Sequence, residues 1–217
     1  MYRIGIDTGG TNTDVVLTDI YSGRVYFCKT PTTPKNLLKG IQKGIKKIVD
    51  LSGIDEKGIK ELIYGTTIVV NMIAQKEAEA TALITTKGFR DVLDIGRAYR
   101  NENIYDIFMD KPEPLVRRDL RYEVTERMNF MGQILEPLNE NEVIDIIKDL
   151  KSKNIKSIAV CLIHSYANPV HERRIKEIIN KEWPEVYVSI SSDINPQFRE
   201  YERTSTTVIN AYMMPNM

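Results

Sequence analysis

Three short segments separated by glycine turns open the chain, and they constrain the fold more than any other feature. Residues 2–7 alternate apolar and other side chains before the Gly9-Gly10 turn. Residues 13–20 form a second segment, and residues 24–29 follow a turn at Ser22-Gly23. Such segments are typical of β-strands, and short glycine turns join antiparallel neighbours. The sequence therefore predicts an antiparallel meander at the N-terminus.

Helices and strands alternate in the rest of the chain. We expect Thr33 to be the N-cap and Pro34 the first residue of a helix that ends at Gly53, because these residue types favour those positions. Asn139 and Glu142 predict the capping box of another helix. Further strands are predicted over residues 61–64, 81–85, 157–163 and 186–190, and further helices over 66–76, 89–96 and 199–213 and from Asn168-Pro169 through Ile179. The predicted class is α/β with a partly antiparallel sheet.

The composition is that of an ordinary globular domain. Of the 217 residues, 42% are hydrophobic and 28% are charged, close to average usage. We expect residues 1–217 to form one N-terminal domain. Residues 97–138 contain three prolines and are predicted to be an inserted excursion, with a strand over residues 121–127.

Charge and cysteine usage exclude several classes of partner and compartment. Thirty basic residues balance thirty acidic ones, so no global field favours nucleic acid or an anionic membrane. The longest uncharged stretch, residues 157–171, is too short and too polar to cross a bilayer. Cys28 and Cys161 lie in apolar segments, and no leader pattern precedes the first strand. We therefore expect a reduced, cytoplasmic protein with no nucleic-acid or membrane partner.

The turn at residues 7–14 is the strongest candidate site. Glycines let backbone N–H groups approach an anion, the hydroxyls of Thr11 and Thr13 add donors, and Asp7 could hold magnesium directly or through water. The competing interpretation is a polar glycine hairpin without a ligand. Thr11-Asn12 stands where a P-loop requires Lys-Ser/Thr, and no G-x-G-x-x-G precedes a helix, so those two phosphate motifs are excluded.

Two further places could bind a ligand. Gly65, Thr66 and Thr67, followed by Asn71, offer N–H groups and hydroxyls at a helix start, although the residues taken alone favour a plain N-cap by Thr66 or Thr67. His164 follows the apolar strand 157–163, where open α/β sheets bind ligands; a satisfied buried histidine is the alternative. The charged residues of the segment 199–203 are expected to form a solvated face.

Five stretches of the sequence, in the same order along the chain, resemble those of a known protein family. The chain resembles the N-terminal part of the A subunit of the hydantoinase/5-oxoprolinase family over nearly its whole length. The matching stretches are Gly-Ile-Asp-Thr-Gly-Gly-Thr-Asn-Thr-Asp, Tyr-Gly-Thr-Thr-Ile-Val-Val-Asn, Lys-Gly-Phe-Arg-Asp-Val-Leu-Asp-Ile-Gly-Arg, Ala-Val-Cys-Leu-Ile-His-Ser-Tyr-Ala-Asn-Pro-Val-His-Glu and Arg-Glu-Tyr-Glu-Arg-Thr-Ser-Thr-Thr-Val-Ile-Asn-Ala-Tyr.

The resemblance implies half of a ribonuclease H-like (actin-like ATPase) fold, with a mixed sheet, the N-terminal meander and flanking helices. Within it, the first hairpin loop would bind ATP phosphates and magnesium, and Asn12 stands where members often carry an aromatic residue. The implied phosphate contacts are Asp7, Gly9, Gly10, Thr11, Asn12 and Thr13, with Asp7 as the magnesium residue. The implied substrate residues, by analogy, are Gly65, Thr66, Thr67, Asn71 and His164.

The family also implies an activity. Its members open five-membered cyclic amides, usually with ATP, and relatives carboxylate ketones. A lactam carbonyl is a poor electrophile, and phosphorylation of its oxygen would prepare it for water, chemistry that depends on positioning and charge neutralisation. A B-type subunit would complete the hydrolysis. The alternatives are a ketone carboxylase subunit, a small-molecule kinase of the actin-like superfamily, and a non-catalytic nucleotide-binding module.

Family A subunits run several hundred residues, and this chain contains no second Asp-x-Gly-Gly loop. We therefore expect a fragment of a longer protein whose C-terminal half supplies the second phosphate loop and the adenosine pocket. The fragment alone is expected to hydrolyse no ATP and to bind it weakly.

Overall fold

Two compact units make up the chain, Met1–Lys76 and Glu77–Met217. A computed structural model describes residues 1–33, 36–75, 80–97 and 113–216. Each unit has its own sheet and is described separately below.

A four-stranded mixed sheet forms the first unit. Its strands are β1 (Tyr2–Thr8), β2 (Asn12–Asp19), β3 (Val25–Pro31) and β4 (Ile59–Thr66), in the spatial order β3-β2-β1-β4. The first three are antiparallel, as predicted, and β4 is parallel to β1. Helix α1 (Leu37–Ser52) joins β3 to β4, and α2 (Ile68–Gln75) follows β4. Alternation buries Ile4, Ile6, Val15 and Leu17 against α1.

The predicted start of α1 is wrong by three residues. Asn36 is the N-cap, and its side-chain oxygen accepts a hydrogen bond from the Lys39 amide at 3.2 Å. Thr33 instead accepts a hydrogen bond from the Asn36 amide through its carbonyl, and Pro34 lies outside the described residues. Asparagine is as good an N-cap as threonine. Which of the two residues caps α1 therefore depended on where the chain leaves β3. The predicted end is confirmed, because Gly53 has a φ of 66°.

The second unit is built on a parallel sheet. Its strands are β5 (Thr81–Thr86), β6 (Arg121–Val124), β9 (Ser157–Cys161) and β10 (Tyr187–Ile190), in the order β10-β9-β5-β6. A small antiparallel pair, β7 (Arg127–Met128) and β8 (Ile134–Glu136), follows β6. The helices are α3 (Val92–Ile95), α4 (Glu140–Ser152), α5 (Val170–Glu182), α6 (Ser191–Ile194) and α7 (Glu200–Met213).

Helices cover both faces of this sheet. Apolar residues of α4 and α5 pack with Ile84 and Ile158 on one face, and Val208 and Ala211 of α7 pack with Leu83 and Ala159 on the other. Strand β9 is buried along its whole length, as its sequence predicts. Both cysteines are free and buried, as expected for core residues.

The predicted capping box of α4 forms only in part. Asn139 caps the Glu142 amide at 3.4 Å, but the Glu142 carboxylate accepts hydrogen bonds from the amide and hydroxyl of Thr125 instead of the Asn139 amide. The Asn139 amide donates to the Thr125 carbonyl. A tertiary partner has therefore replaced the local one.

The interpretation of residues 97–138 as an inserted excursion stays a prediction. The strand expected over 121–127 is present as β6, which pairs with β5, and residues 98–112 lie outside the described part. No described helix is both long and apolar enough to cross a membrane.

Candidate functional site

The loop between β1 and β2 is held from the β3 side. The Gly9 amide donates to the Asn12 carbonyl at 2.9 Å. Thr32 donates from its amide to the Thr11 carbonyl at 2.9 Å and from its hydroxyl to the Gly9 carbonyl at 2.8 Å. These bonds occupy the carbonyls of Gly9, Thr11 and Asn12, whereas the N–H groups of Gly10 and Thr11 have no acceptor among the described residues. An anion could therefore meet backbone donors here.

The end of β4 and the residue that follows it lie against the same loop. Strand register places Asp7 opposite Gly65 and Thr8 opposite Thr66. The Thr8 carbonyl accepts hydrogen bonds from the Thr66 hydroxyl at 2.8 Å and the Thr67 amide at 3.2 Å. The structure thus brings Gly65, Thr66 and Thr67 to the glycine loop, although the sequence separates them by more than fifty residues.

Asn71 also borders the loop. A Cβ atom added at Gly10 would lie 3.7 Å from Asn71 Nδ2, and one added at Gly9 would lie 3.3 Å from the Asn12 carbonyl oxygen. The Asn71 amide donates to the Thr67 carbonyl at 3.0 Å, within the first turn of α2. A side chain at Gly10 would therefore occupy the space between the loop and Asn71.

Asp7 presents its carboxylate on the exposed face of the sheet. Its antiparallel neighbour is Asp14, whose carboxylate lies 3.2 Å from Lys29 Nζ. Magnesium is commonly bound by one or two carboxylates together with phosphate oxygens. No group of three or more metal-binding side chains occurs in the described ranges. The exposed Asp7 beside a donor-rich loop fits a magnesium–phosphate complex.

Threonines form a polar layer beneath the loop. Thr8 and Thr13 are fully buried; the Thr13 and Thr32 hydroxyls lie 3.1 Å apart, and the Thr8 hydroxyl has no hydrogen-bond partner in the described part of the chain. Sequence analysis missed Thr32, which lies outside the motif. Its role follows from the β2–β3 register, which pairs Asn12 with Pro31.

His164 belongs to the second unit, where it follows β9. Its φ of 57° is unusual for a residue other than glycine. Its Nδ1 lies 3.3 Å from the Tyr166 hydroxyl. Burial, together with the positive charges of Arg127 and Arg203, lowers the pKa of His164, which favours the neutral imidazole.

Buried charged groups are concentrated at the carboxyl ends of the parallel strands. Glu126 accepts hydrogen bonds from the Thr86 hydroxyl and pairs with His171 Nδ1 at 2.8 Å. Glu172 accepts hydrogen bonds from the Leu162 amide at 2.9 Å, the Ser191 hydroxyl at 2.6 Å and the Ser192 amide at 2.8 Å. These networks tie the strand ends together in fixed positions.

Arg203 is also a buried charged group at these strand ends, so the expectation that it forms part of a solvated face is wrong. It is only 1% exposed, and its guanidinium donates to the carbonyls of Leu162 at 2.7 Å and Gln197 at 3.0 Å. Helical periodicity could have predicted the burial of Arg203 from the sequence. Arg203 shares a helix face with the buried Thr207 and Ala211, as Glu172 does with Ile175 and Ile179.

Known proteins resemble the chain over its full length. The sequence profile of the hydantoinase/oxoprolinase N-terminal region matches residues 3–183. An uncharacterized protein of Methanocaldococcus jannaschii is 45% identical over 217 residues, which are 99% of this chain and 31% of that protein. Caprolactamase subunit alpha of Pseudomonas jessenii is 34% identical over 221 residues, covering 100% of this chain and 32% of that subunit.

A solved structure has a similar fold. It is the nucleotide-free structure of an acetone carboxylase, described as ATP-dependent. The match covers 99% of this chain and 32% of the acetone carboxylase chain, with a TM-score of 0.87 and 28% sequence identity. This likeness confirms the predicted α/β fold with its mixed sheet and flanking helices. The chain spans about a third of the length of these relatives.

Proposed function

Because the chain belongs to the hydantoinase/oxoprolinase family, we propose that it supplies the first phosphate-binding loop of an ATP-dependent amidohydrolase that opens a five-membered cyclic amide. The observation that carries the proposal is the β1–β2 loop, where the Gly10 and Thr11 amides lack acceptors among the described residues and lie near the exposed Asp7. ATP with magnesium would supply the phosphoryl group that activates the amide oxygen.

The loop residues have distinct proposed roles. The N–H groups of Gly10, Thr11 and Asn12 would neutralise phosphate charge. Gly9 would let the loop approach the phosphate closely while its own N–H holds the Asn12 carbonyl, and Asp7 would hold magnesium, directly or through water. Thr13 supports the loop from within the sheet through its contact with Thr32.

We propose Gly65, Thr66, Thr67 and Asn71, which border the loop, as substrate-binding residues. His164, in the second unit, is proposed separately as a hydrogen-bonding residue for the substrate. The remainder of a longer A subunit, a B-type subunit and a small cyclic amide are the proposed partners. The two free buried cysteines favour a reducing compartment, so we propose the cytoplasm.

A ketone carboxylase is the second candidate function. The likeness to acetone carboxylase supports it as directly as the likeness to caprolactamase subunit alpha supports an amidohydrolase. Both chemistries begin by activating a carbonyl oxygen, so the same loop would serve either one.

Phosphate release separates these functions. The full-length protein with its B-type partner would be given magnesium ATP and either 5-oxoproline, hydantoin, or acetone with and without bicarbonate. We expect stimulation by a cyclic amide, with ring-opened product equal to released phosphate. Stimulation by acetone only with bicarbonate would identify a carboxylase, and a phosphorylated product would identify a kinase. ATP binding without any stimulation would indicate a non-catalytic module.

Binding by the 217-residue chain tests the loop itself. Magnesium ATP is expected to bind weakly, without hydrolysis, and to shift the NMR amide signals of residues 9–12. Asp7→Asn should weaken this binding about tenfold, because a contact with a charged group contributes about 1.5 kcal/mol. The matched control is Asp145→Asn, at a 73% exposed position in the second unit. If wild type and Asp7→Asn bound magnesium ATP equally well, Asp7 would not be a magnesium-binding residue.

A further inference from the structure

An apolar row crosses all four strands on the outward face of the first unit's sheet. Phe27 of β3 pairs with Val16 of β2. Gly5 of β1 pairs with Val16 on one side and with Ile63 of β4 on the other. In β1, β2 and β3 these residues alternate with those buried against α1, so the row lies on the opposite face of the sheet. Phe27 is 56% exposed, Ile63 is 51% exposed, and Val16 is also exposed. We call these three side chains, with Gly5 between them, the apolar strip.

Two ion pairs flank the apolar strip on the same face of the sheet. On one side, Arg3 of β1 donates a hydrogen bond of 2.6 Å to the Glu61 carboxylate of β4. On the other side, Lys29 Nζ lies 3.2 Å from the Asp14 carboxylate. The strip is therefore apolar surface rimmed by charges that already have partners. Such a surface is typical of a site that binds an apolar element of another segment or protein.

Gly5 leaves a notch in the middle of the strip. Beyond its immediate neighbours, a Cβ atom at this position would meet no atom of the described chain within 4 Å. Gly5 is also not one of the glycines with a positive φ. Neither crowding nor backbone conformation in the described residues therefore requires glycine here. Glycine in the interior of a strand often marks a place where another backbone approaches closely, so the notch fits a partner whose backbone comes close to β1.

The two sheets of the chain differ in how their faces are covered. The second unit's sheet has helices on both faces. In the described part of the first unit, the core beside the sheet takes its helical residues from α1 alone. An α/β sheet is usually covered by helices on both faces, and the strip is the face that a second helical layer would cover. About two thirds of the Methanocaldococcus jannaschii relative and of caprolactamase subunit alpha lies outside the part shared with this chain, which is ample for such a layer.

We propose that an amphipathic helix from the remainder of the longer A subunit docks on the apolar strip, with its backbone close to Gly5. The apolar side of this helix would cover the strip. Asp7 pairs with Asp14 on this same face, so the docked helix would border the residue proposed to hold magnesium. The proposal rests on the remainder of the A subunit that is part of the proposed function. Its test needs no nucleotide, so its failure is distinguishable from failure of the glycine loop to bind ATP.

Gly5→Val is expected to have different effects in the 217-residue chain and in the full-length protein. In the 217-residue chain the new side chain meets open space, and valine favours a strand more than glycine does. The amides of β1–β3 should therefore exchange with solvent no faster than in wild type. In the full-length protein the side chain would displace the docked helix, and these amides should exchange at least about tenfold faster than in full-length wild type. The matched control is Lys46→Val, at an exposed position of α1, which should affect both proteins alike.

Thiol labelling tests whether the strip is covered. Val16→Cys places a thiol of similar size in the strip, whereas the native Cys28 and Cys161 are buried. A maleimide should label this thiol at least about tenfold more slowly in the full-length protein than in the 217-residue chain, because a covered thiol reacts only when the surface opens. This difference should hold at every protein concentration. The control Lys46→Cys, on the exposed side of α1, should react equally fast in both proteins.

Equal labelling of Val16→Cys in the two proteins would overturn the proposal, and so would faster exchange of Gly5→Val already in the 217-residue chain. Two other results would overturn it by identifying a different partner. Slow labelling only at high protein concentration would identify a second copy of the chain. Slow labelling only after addition of the B-type subunit would identify that subunit.

Discussion

Replacing Glu172 with alanine is expected to lower the free energy of unfolding of the second unit by about 3–5 kcal/mol. Glu172 is fully buried, and its carboxylate accepts three hydrogen bonds, from Leu162, Ser191 and Ser192. Each buried donor left without an acceptor costs about 1–3 kcal/mol. The loss would separate the carboxyl ends of β9 and β10, which this side chain joins.

Urea unfolding followed by tryptophan fluorescence measures this effect, because the single tryptophan, Trp183, packs against the core of the second unit. Glu172→Gln keeps one acceptor but directs an NH₂ group at backbone donors, so most of the loss should remain. The matched control is Glu177→Ala on the same helix, where the side chain is 66% exposed and the midpoint should barely change. An unchanged midpoint for Glu172→Ala would show that the carboxylate does not hold the strand ends.

Replacing Gly44 with valine is expected to destabilise the first unit by about 3 kcal/mol, the upper part of the range for overpacked cores. A Cβ atom at Gly44 would lie 2.7 Å from Val15 Cγ2, closer than non-bonded carbon atoms approach. Val15 is fully buried and stiff at χ1, so helix α1 would have to move away from β2. Amide hydrogen exchange of β1–β3 reports this loss of stability directly.

A double variant isolates the cause. Val15→Ala removes the methyl group that the new valine at position 44 would meet. The loss of stability caused by Val15→Ala should therefore be smaller in the Gly44→Val background than in the wild type. Such coupling is expected only for residues in contact. The control is Lys43→Val, at an exposed position of the same helix. It introduces a β-branched residue, which lowers helix propensity, but makes no contact with Val15. Additive losses, or equal losses in Lys43→Val and Gly44→Val, would contradict close packing of α1 on β2.

Local signals predicted the meander, the strands of the second unit's main sheet and most helices. The family assignment, made from five ordered stretches, is confirmed by the profile match. The start of α1 was predicted wrongly because Thr33 and Asn36 are both competent caps. The capping box of α4 failed in part because Thr125, seventeen residues away, binds the Glu142 carboxylate. In the case of α4, a contact beyond the local window decided between alternatives of similar energy.

The sequence by itself determined the glycine loop and its neighbours along the chain, because turn geometry and strand alternation depend on adjacent residues. Only the tertiary structure decided that Thr66 and Thr67 support that loop and that Glu172 and Arg203 are buried. The burial of a polar group is favourable only where its hydrogen-bond partners meet it. For Arg203 that partner is the carbonyl of Leu162, 41 residues away, brought there by the packing of α7 on the sheet.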